Sequence, residues 1–446
     1  MSKRSRKKIP TESVLTQIST LSHEGRGIAH LNGKTTFIFN ALPGETVEFW
    51  YNALHRQFDE GIATTIVDNP SPNRVTPPCA HFGICGGCSL QHLSPTAQRA
   101  HKEKILLEHF QHQAQCHPLE ILPPLIGHTL SYRRKARLSV RFVPKKNAVL
   151  VGFRERGSSF VAQIQQCEIL HPSIGKKINA LSELLMMCEK KSDIPQLEIA
   201  IGDTISAVII RHLSELPQPD LEKLAQFARE NNLHFYLQPS DTESIHPLYP
   251  ENPDALFYDI PRHDIRMFFR PEQFTQINAE INLQMIDRAL HFLELKKTDM
   301  VLDLFCGIGN FSLPIARYCK TVVGIEGSAS AILQAKKNAD SNNIGNAEFY
   351  MQDLSQDLKN ADWSKRKYTK LLLDPARTGA KEVIPHVAHW QPERIVYISC
   401  NPITLARDTA ELLALGYLLE KAGIMDMFPH TEHVEAMAVF SKKCGI

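Results

Sequence analysis

Five short apolar runs, at 300–304, 321–325, 347–350, 370–373 and 394–398, alternate with helix-length segments over the C-terminal part of the chain. Strands separated by helices do not close as hairpins. Each connection crosses a face of the sheet, which leaves successive strands parallel and predicts a doubly wound α/β sheet. A helix over about 278–295 leads into the first strand. Ligands of such sheets sit beyond the carboxyl ends of the strands, so the residues after each strand carry the chemistry.

Those positions hold acids. Asp303 closes the first strand, Glu326 ends the second 23 residues later, Asp353 follows the third and Asp374 the fourth. The turn Gly307-x-Gly309 lets a ligand approach the backbone, but it lacks the GxGxxG pattern of a dinucleotide pyrophosphate site. An acid at Glu326 suits a ribose hydroxyl, and Asp353 is placed to face an adenine. S-adenosylmethionine fits this set, having a ribose, an adenine and no phosphate to demand a basic cluster. After the fifth strand comes a cysteine, in Ile398-Ser399-Cys400-Asn401-Pro402. Core packing is the ordinary fate of a free cysteine. At the ligand-bearing edge beside Asp374, covalent catalysis is the stronger reading. Glu435 precedes a last apolar strand at 437–440, where a solvated acid would be the plain reading.

Three cysteines in a glycine-rich loop, Cys79-x5-Cys85-x2-Cys88, are too close together for core packing and point to metal or cluster ligation. Zinc sites usually show two short paired knuckles, whereas three ligands plus one distant ligand suit an iron–sulfur cube. Cys167, Cys116 and Cys188 are the candidates for the fourth position. The start of the chain carries charge without a following apolar stretch, so no secretory signal is expected and the ten cysteines should be thiols or metal ligands. No run of 18 apolar residues is present. The total charge is only +2, but five of the first eight residues are basic. That tail reads equally as a solubilising end or a phosphate-seeking arm.

The remaining chain divides at Pro-rich joints. Residues 1–68, with the basic tail at 1–8, form a small all-β unit of five short strands, in which Asn32-Gly33 predicts a tight hairpin. This spacing suggests an OB-like barrel, with Arg26, Phe37, Phe39, Trp50, Tyr51, His55 and Arg56 available as a stacking and phosphate surface. Residues 69–269 form a central α+β domain, with helices at 95–113 and 217–232 and a hairpin around Gly202-Asp203. Within it, Arg133, Lys135, Arg137 and Arg141 fall on one face of a strand, opposite Ala136, Leu138 and Val140. Arg154 and Arg156 extend a surface suited to RNA phosphates, against the plainer reading of a solvated face. Residues 270–446 form the cofactor domain.

Five motifs in order resemble the RNA uracil-C5 methyltransferases: Phe274-x-Gln276-x-Asn278, the loop 304–310, Asp374-Pro375-Ala376-Arg377, Ser399-Cys400-Asn401-Pro402 and His433-x-Glu435. The resemblance covers essentially the whole chain, and the barrel with the cysteine cluster matches the branch acting on 23S ribosomal RNA. It implies an N-terminal TRAM barrel, a central domain with an iron–sulfur loop and a C-terminal Rossmann-like methyltransferase domain. It also implies Cys400 as nucleophile, Glu435 as base, and Gln276, Phe305, Asn310, Glu326, Asp353 and Asp374 around S-adenosylmethionine. A [4Fe–4S] cluster on Cys79, Cys85, Cys88 and Cys167 is implied too. A cytoplasmic monomer acting on 23S ribosomal RNA, without membrane attachment, is the corresponding expectation. Another uridine of tRNA or ribosomal RNA as target, and a non-enzymatic iron–sulfur RNA-binding factor, are the alternatives. Methylation of an exocyclic amine is disfavoured, since Asp374-Pro375-Ala376-Arg377 stands where an Asn/Asp-Pro-Pro-aromatic motif belongs.

Overall fold

Asn32 and Gly33 take φ of 51° and 74°, the left-handed pair that a two-residue hairpin needs. They join two strands of a six-stranded N-terminal sheet: β1 (Val14–Gln17), β2 (Thr20–Leu21), β3 (Gly27–Leu31), β4 (Lys34–Phe39), β5 (Thr46–Leu54) and β6 (Phe58–Asp68). The structure, a computed structural model, describes residues 8–356, 358–359 and 361–442; of the basic tail, 1–7 lie outside these. The order is β1-β5-β6-β4-β3-β2, with β4 and β6 parallel and the other neighbours antiparallel. Of the first apolar run of the sequence, Val14–Ile18, β1 takes Val14–Gln17, and the short β2 follows; the two lie at the opposite ends of this order. Ile18, Ala29, Ile38, Val47, Phe49 and Ala63 fill the interior, each large side chain contributing about 1.5–3 kcal/mol by leaving water.

The chain packs as two compact units. One comprises the residues up to Lys102 with Glu155–Ser158 and Pro429–Glu432, and the other comprises the rest. In the first, Glu45 is fully buried and accepts from the Leu42 and Ser71 amides (2.8 and 3.1 Å) and from Arg74 Nε and Nη2 (2.5 and 2.7 Å), which fastens the Pro-rich joint to the sheet. Burial pushes its carboxyl up, but the Arg74 bond and the two amides outweigh this and hold it below the usual range. Helix α1 (Pro95–His109) is shorter than expected from the sequence, because a wider turn over Phe110–Ala114 ends with Gln115 at φ 48°.

The second unit holds two larger sheets and a two-stranded one. After β7 (Glu120–Ile121) come β8 (Lys135–Val143) and β9 (Ala148–Gly152), then the helices α2 (Pro172–Gly175) and α3 (Ile178–Met186). The hairpin β10 (Gln196–Ile201) and β11 (Ser206–Arg211) follows, then α4 (Gln218–Glu230), β12 (His234–Gln238) and β13 (His246–Tyr249). These strands form a sheet of order β13-β12-β11-β10-β8-β9. A separate hairpin, β14 (Leu256–Ile260) and β15 (Ile265–Phe269), precedes α5 (Ala279–Leu293). Asn278 caps α5 by accepting from the Ile281 amide.

The chain then runs β16 (Met300–Leu304), α6 (Ser312–Ala316), β17 (Thr321–Glu326), α7 (Ala329–Ser341), β18 (Ala347–Met351), β19 (Lys370–Leu373), α8 (Val387–Trp390), β20 (Arg394–Ser399), α9 (Pro402–Ala414), β21 (Tyr417–Met425) and β22 (Glu435–Lys442). The five predicted strands are parallel, in the order β18-β17-β16-β19-β20. The sheet is not wholly parallel, however. β22 runs antiparallel to β20, β21 runs antiparallel to β22, and β7 adds at the far edge. The strand β21 is hidden in the sequence because Glu420-Lys421 interrupts its apolar run where the register shifts by a bulge.

Candidate active site

A cavity of about 710 Å³ opens at the carboxyl ends of β16, β17, β19 and β20. Gln276, Phe305, Asn310, Glu326, Asp374, Cys400 and Glu435 all line it. Asp353 does not. It is exposed beyond β18, where its carboxylate accepts from the Ser355 amide and hydroxyl (2.9 and 2.7 Å).

The loop after β16 is built for a close ligand. Gly307 has φ 55°, and a Cβ there would meet nothing within 4 Å, so the backbone faces open space. Its amide donates to Glu326 Oε2 at 3.3 Å, and the Ser328 amide donates to Oε1 at 3.0 Å. Phe305 holds φ 66° without being glycine, a conformation that costs energy and concentrates at functional loops. Beneath the loop Asp303 is fully buried, with Oδ2 accepting from Ser312 Oγ at 2.5 Å and Oδ1 unpartnered. Burial, joined by the charges of Asp374 and Glu326, pushes its carboxyl up to about 7.

Cys400 and Glu435 come from adjacent strands. Ser399, the last residue of β20, pairs with Ala436 of β22, which leaves Cys400 just past its strand and beside Glu435 at the start of β22, near enough for the Glu435 charge to act on the thiol. Burial raises Glu435 well above the carboxylate range, and Asp374 adds to this while Arg377 opposes it. Cys400 is pushed up to about 11 by burial and by Glu435, again against Arg377. Asp374 rises to about 7 on burial. Burial thus works against ionisation of all three groups in the empty cavity, with Arg377 as the opposing charge for Cys400 and Glu435. Two features favour the thiolate. One is Arg377; the other is the start of α9, whose N-cap Asn401 follows Cys400 directly and accepts from the Ile403 amide at 3.1 Å. Asn401 Nδ2 in turn donates to the Arg377 carbonyl at 2.9 Å, tying the Asp374–Arg377 segment to the loop that carries Cys400.

Sequence reasoning assigned no role to three lining residues. Tyr258 reaches the cavity from the hairpin before the cofactor domain, and it belongs to none of the quoted motifs. Arg377 and His433 fall within quoted motifs and meet at the cavity wall, Arg377 Nη2 lying 3.0 Å from His433 Nδ1. A cationic residue after an Asp-Pro turn was the available signal for Arg377.

The model of the tRNA (Uracil-5-)-methyltransferase family matches residues 205–443. Curated relatives include the 23S rRNA (uracil(1939)-C(5))-methyltransferase RlmD of Alcanivorax borkumensis, 48% identical over 98% of this chain and 99% of that protein. The RlmD of Legionella pneumophila (strain Corby) is 46% identical over 98% of both chains. This chain belongs to the RNA uracil-C5 methyltransferase family. Among solved structures, the Pyrococcus abyssi tRNA (uracil-54, C5)-methyltransferase in complex with S-adenosyl-L-homocysteine superposes with a TM-score of 0.70. It is 22% identical and covers 96% of this chain and 100% of that one, a likeness of fold.

Outside the methyltransferase cavity, the first unit carries the cysteine loop. Cys79, Cys85 and Cys88 are half-buried. The Gly87 amide donates to Cys85 Sγ at 3.5 Å. Burial raises the Cys85 thiol against this bond, and Cys79 is near enough for its charge to add to the rise. Among the described residues, no group of three or more His, Cys, Asp or Glu stands ready to hold a single metal ion. Cys188 is buried, with its thiol on the Leu184 carbonyl, and Cys116 packs against the large core of the second unit.

The basic strand has the expected faces, with Ala136, Leu138 and Val140 buried and Arg137 and Arg141 exposed. Lys135 is a correction. Its ammonium is nearly buried, bonded to the Pro271 carbonyl and 3.3 Å from Glu198. Burial lowers its pKa against the pull of Glu198. Arg133 lies before the strand, with its guanidinium on the Lys135 carbonyl and over the Phe153 ring. Among the described residues no helix is long and apolar enough to cross a membrane.

Proposed function

We propose that this protein transfers a methyl group from S-adenosylmethionine to C5 of a uridine in 23S ribosomal RNA, the one its curated relatives name as uracil 1939. The observation that carries this reading is Cys400 and Glu435 side by side at the end of the β20–β22 pairing, in one cavity with the Gly307 loop and Glu326. The residues present fit the cofactor: an open backbone turn, an acid at the end of β17 and no cluster of cations for phosphate. When bound, S-adenosylmethionine supplies an electrophilic methyl on a sulfonium and leaves as a neutral thioether.

Uracil C5 is too weak a nucleophile to take that methyl unaided. Cys400 thiolate adds to C6 and places carbanion character on C5, which then bonds to the methyl carbon. Glu435 carboxylate removes the C5 proton, the C6–S bond breaks and the thiolate returns. Arg377 balances the thiolate while it forms. A uridine inside folded RNA has to swing out of its stack to reach the thiol.

Further assignments belong to the same reading. Cys79, Cys85, Cys88 and Cys167 hold a [4Fe–4S] cluster, supported by three thiols in a short loop and an amide already directed at one sulfur. Its default role is a folding staple between sequence-distant segments. Residues 1–68 serve as an OB-like TRAM barrel. The support is a strand path in which β4 and β6 are parallel and the successive strands β1 and β2 lie at opposite ends of the order. Arg26 over Phe37 and the exposed Trp50 are its RNA-facing groups. Residues 69–269 present RNA contacts and 270–446 perform transfer. The enzyme works as a monomer, since one chain supplies every proposed catalytic group, and in the cytoplasm, where bacterial ribosomes are made.

Mapping 5-methyluridine in unmodified 23S ribosomal RNA and tRNA incubated with the protein and S-adenosylmethionine tests the assignment. A single new 5-methyluridine in 23S RNA is expected. Methylation confined to tRNA, or none in either RNA, overturns it.

A further inference from the structure

The hairpin β14–β15 precedes the cofactor domain in sequence yet is fastened to it. Asn338 on α7 and Asn342, which caps its C-terminal end one turn later, imitate a neighbouring strand. Asn338 accepts from the Phe268 amide (3.0 Å) and donates to the Phe268 carbonyl (3.0 Å), and Asn342 does the same with Arg266 (2.8 and 2.8 Å). Asn338 also donates to the Ile308 carbonyl at 3.2 Å, so one buried amide spans the hairpin and the cofactor loop. At the hairpin tip, His263 bridges Asp287 of α5 (2.9 Å) and Tyr318 (3.0 Å).

Held this way, the hairpin aims one side chain at the loop. Tyr258 donates to Asn310 Oδ1 at 2.9 Å. Asn282, buried on α5, forms a two-bond amide pair with the same residue, donating to Asn310 Oδ1 at 3.1 Å and accepting from Nδ2 at 2.9 Å. These contacts occupy both acceptor sites of Oδ1 and one of the two Nδ2 hydrogens. The second hydrogen is left for an acceptor atom of a ligand in the cavity that Asn310 and Tyr258 both line.

We propose that Tyr258 and Asn282 are positioning residues that hold Asn310 in the orientation that binds S-adenosylmethionine, so that the hairpin before the cofactor domain sets cofactor affinity. The proposal rests on Asn310 being a cofactor ligand. Tyr258 contributes through preorganisation. Without its hydroxyl, the Asn310 amide has to be ordered at the moment of binding. RNA binding and the thiol chemistry do not pass through this network.

The test is calorimetric binding of S-adenosylmethionine to full-length Tyr258→Phe, Asn282→Ala, Asn310→Ala and the Tyr258→Phe/Asn310→Ala double variant, with melting temperatures and steady-state kinetics alongside. Tyr258→Phe should weaken binding roughly tenfold, the scale of one well-placed hydrogen bond. It should raise KM for the cofactor while leaving kcat and the KM for RNA near wild type. The double variant should bind no worse than Asn310→Ala, because Tyr258 acts only through Asn310. Normal binding by Asn310→Ala would overturn the ligand role of Asn310 and the proposal with it. Weak binding by Asn310→Ala but normal binding by Tyr258→Phe would overturn the proposal alone. So would an additive loss in the double variant, or a loss of kcat and RNA affinity in step with a lowered melting temperature.

Discussion

Cys400 directly follows the last pair of β20 with β22, Ser399 with Ala436, and lies beside Glu435, the first residue of β22. A nucleophile and a base that act on adjacent carbons of one ring have to approach it from positions fixed relative to each other. Neighbouring positions on paired strands provide this more rigidly than two loops can. The antiparallel turn of the sheet after β20 is what brings the two together.

Replacing Cys400 by alanine should cut turnover by at least about 10³-fold, the scale of removing a nucleophile. Affinity for S-adenosylmethionine should stay within a few-fold, because Glu326 and the Gly307 loop are untouched. Calorimetry with a methyl-transfer assay separates the two. Appreciable turnover by the variant would rule out the covalent route.

The cofactor-free enzyme should lose stability as pH rises from about 4 to about 7. Folded Asp374 keeps its proton up to about 7, whereas its ordinary value is 3.8. Between these the folded state binds more protons than the unfolded chain, so stability declines with pH. Asp374→Asn should melt higher than wild type at pH 8 and equally at pH 3.5. Equal melting at pH 8 would mean that burial does not raise the Asp374 carboxyl in the folded protein.

Much of this was readable in the sequence, and the failures have physical causes. The five parallel strands announce themselves as uninterrupted apolar runs, and Glu326, Asp374 and Cys400 follow from strand ends. Strand β21 was missed because a bulge at Glu420-Lys421 breaks its apolar run. Asp353 follows a strand end as Glu326 and Asp374 do, yet it is not among the residues that line the cavity. Lys135 sits on the predicted face, but its partner Glu198 is brought alongside only by the pairing of β8 with β10. Tyr258 and Asn282 lie outside any loop signature, and only the docking of the hairpin relates them to Asn310.

Purified without oxygen, the protein should be brown and carry about four irons per chain. Serine at Cys79, Cys85, Cys88 or Cys167 should abolish the visible absorption, whereas serine at Cys116 or Cys188 should preserve it. Metal analysis and absorption spectra read this out. Stoichiometric zinc without iron would refute the cluster.

On the basic strand, Arg137→Ala with Arg141→Ala should weaken RNA binding and flatten its salt dependence by up to about one unit of slope per residue. Lys135→Ala should lower the melting temperature instead, since it leaves Glu198 nearly buried and lacking one of its two cationic neighbours. Filter binding across a salt series and thermal melts distinguish the two. Unchanged RNA affinity in the arginine variant would return this face to plain solvation.

The most direct test of the central claim is a denaturing gel of Glu435→Gln mixed with labelled 23S RNA fragment and S-adenosylmethionine. The account predicts a slow band of protein joined to RNA that is absent when Cys400 is also changed to alanine, because the methylated adduct cannot lose its C5 proton. Rapid formation of 5-methyluridine by Glu435→Gln with no joined species would contradict the pairing of Cys400 and Glu435 as nucleophile and base.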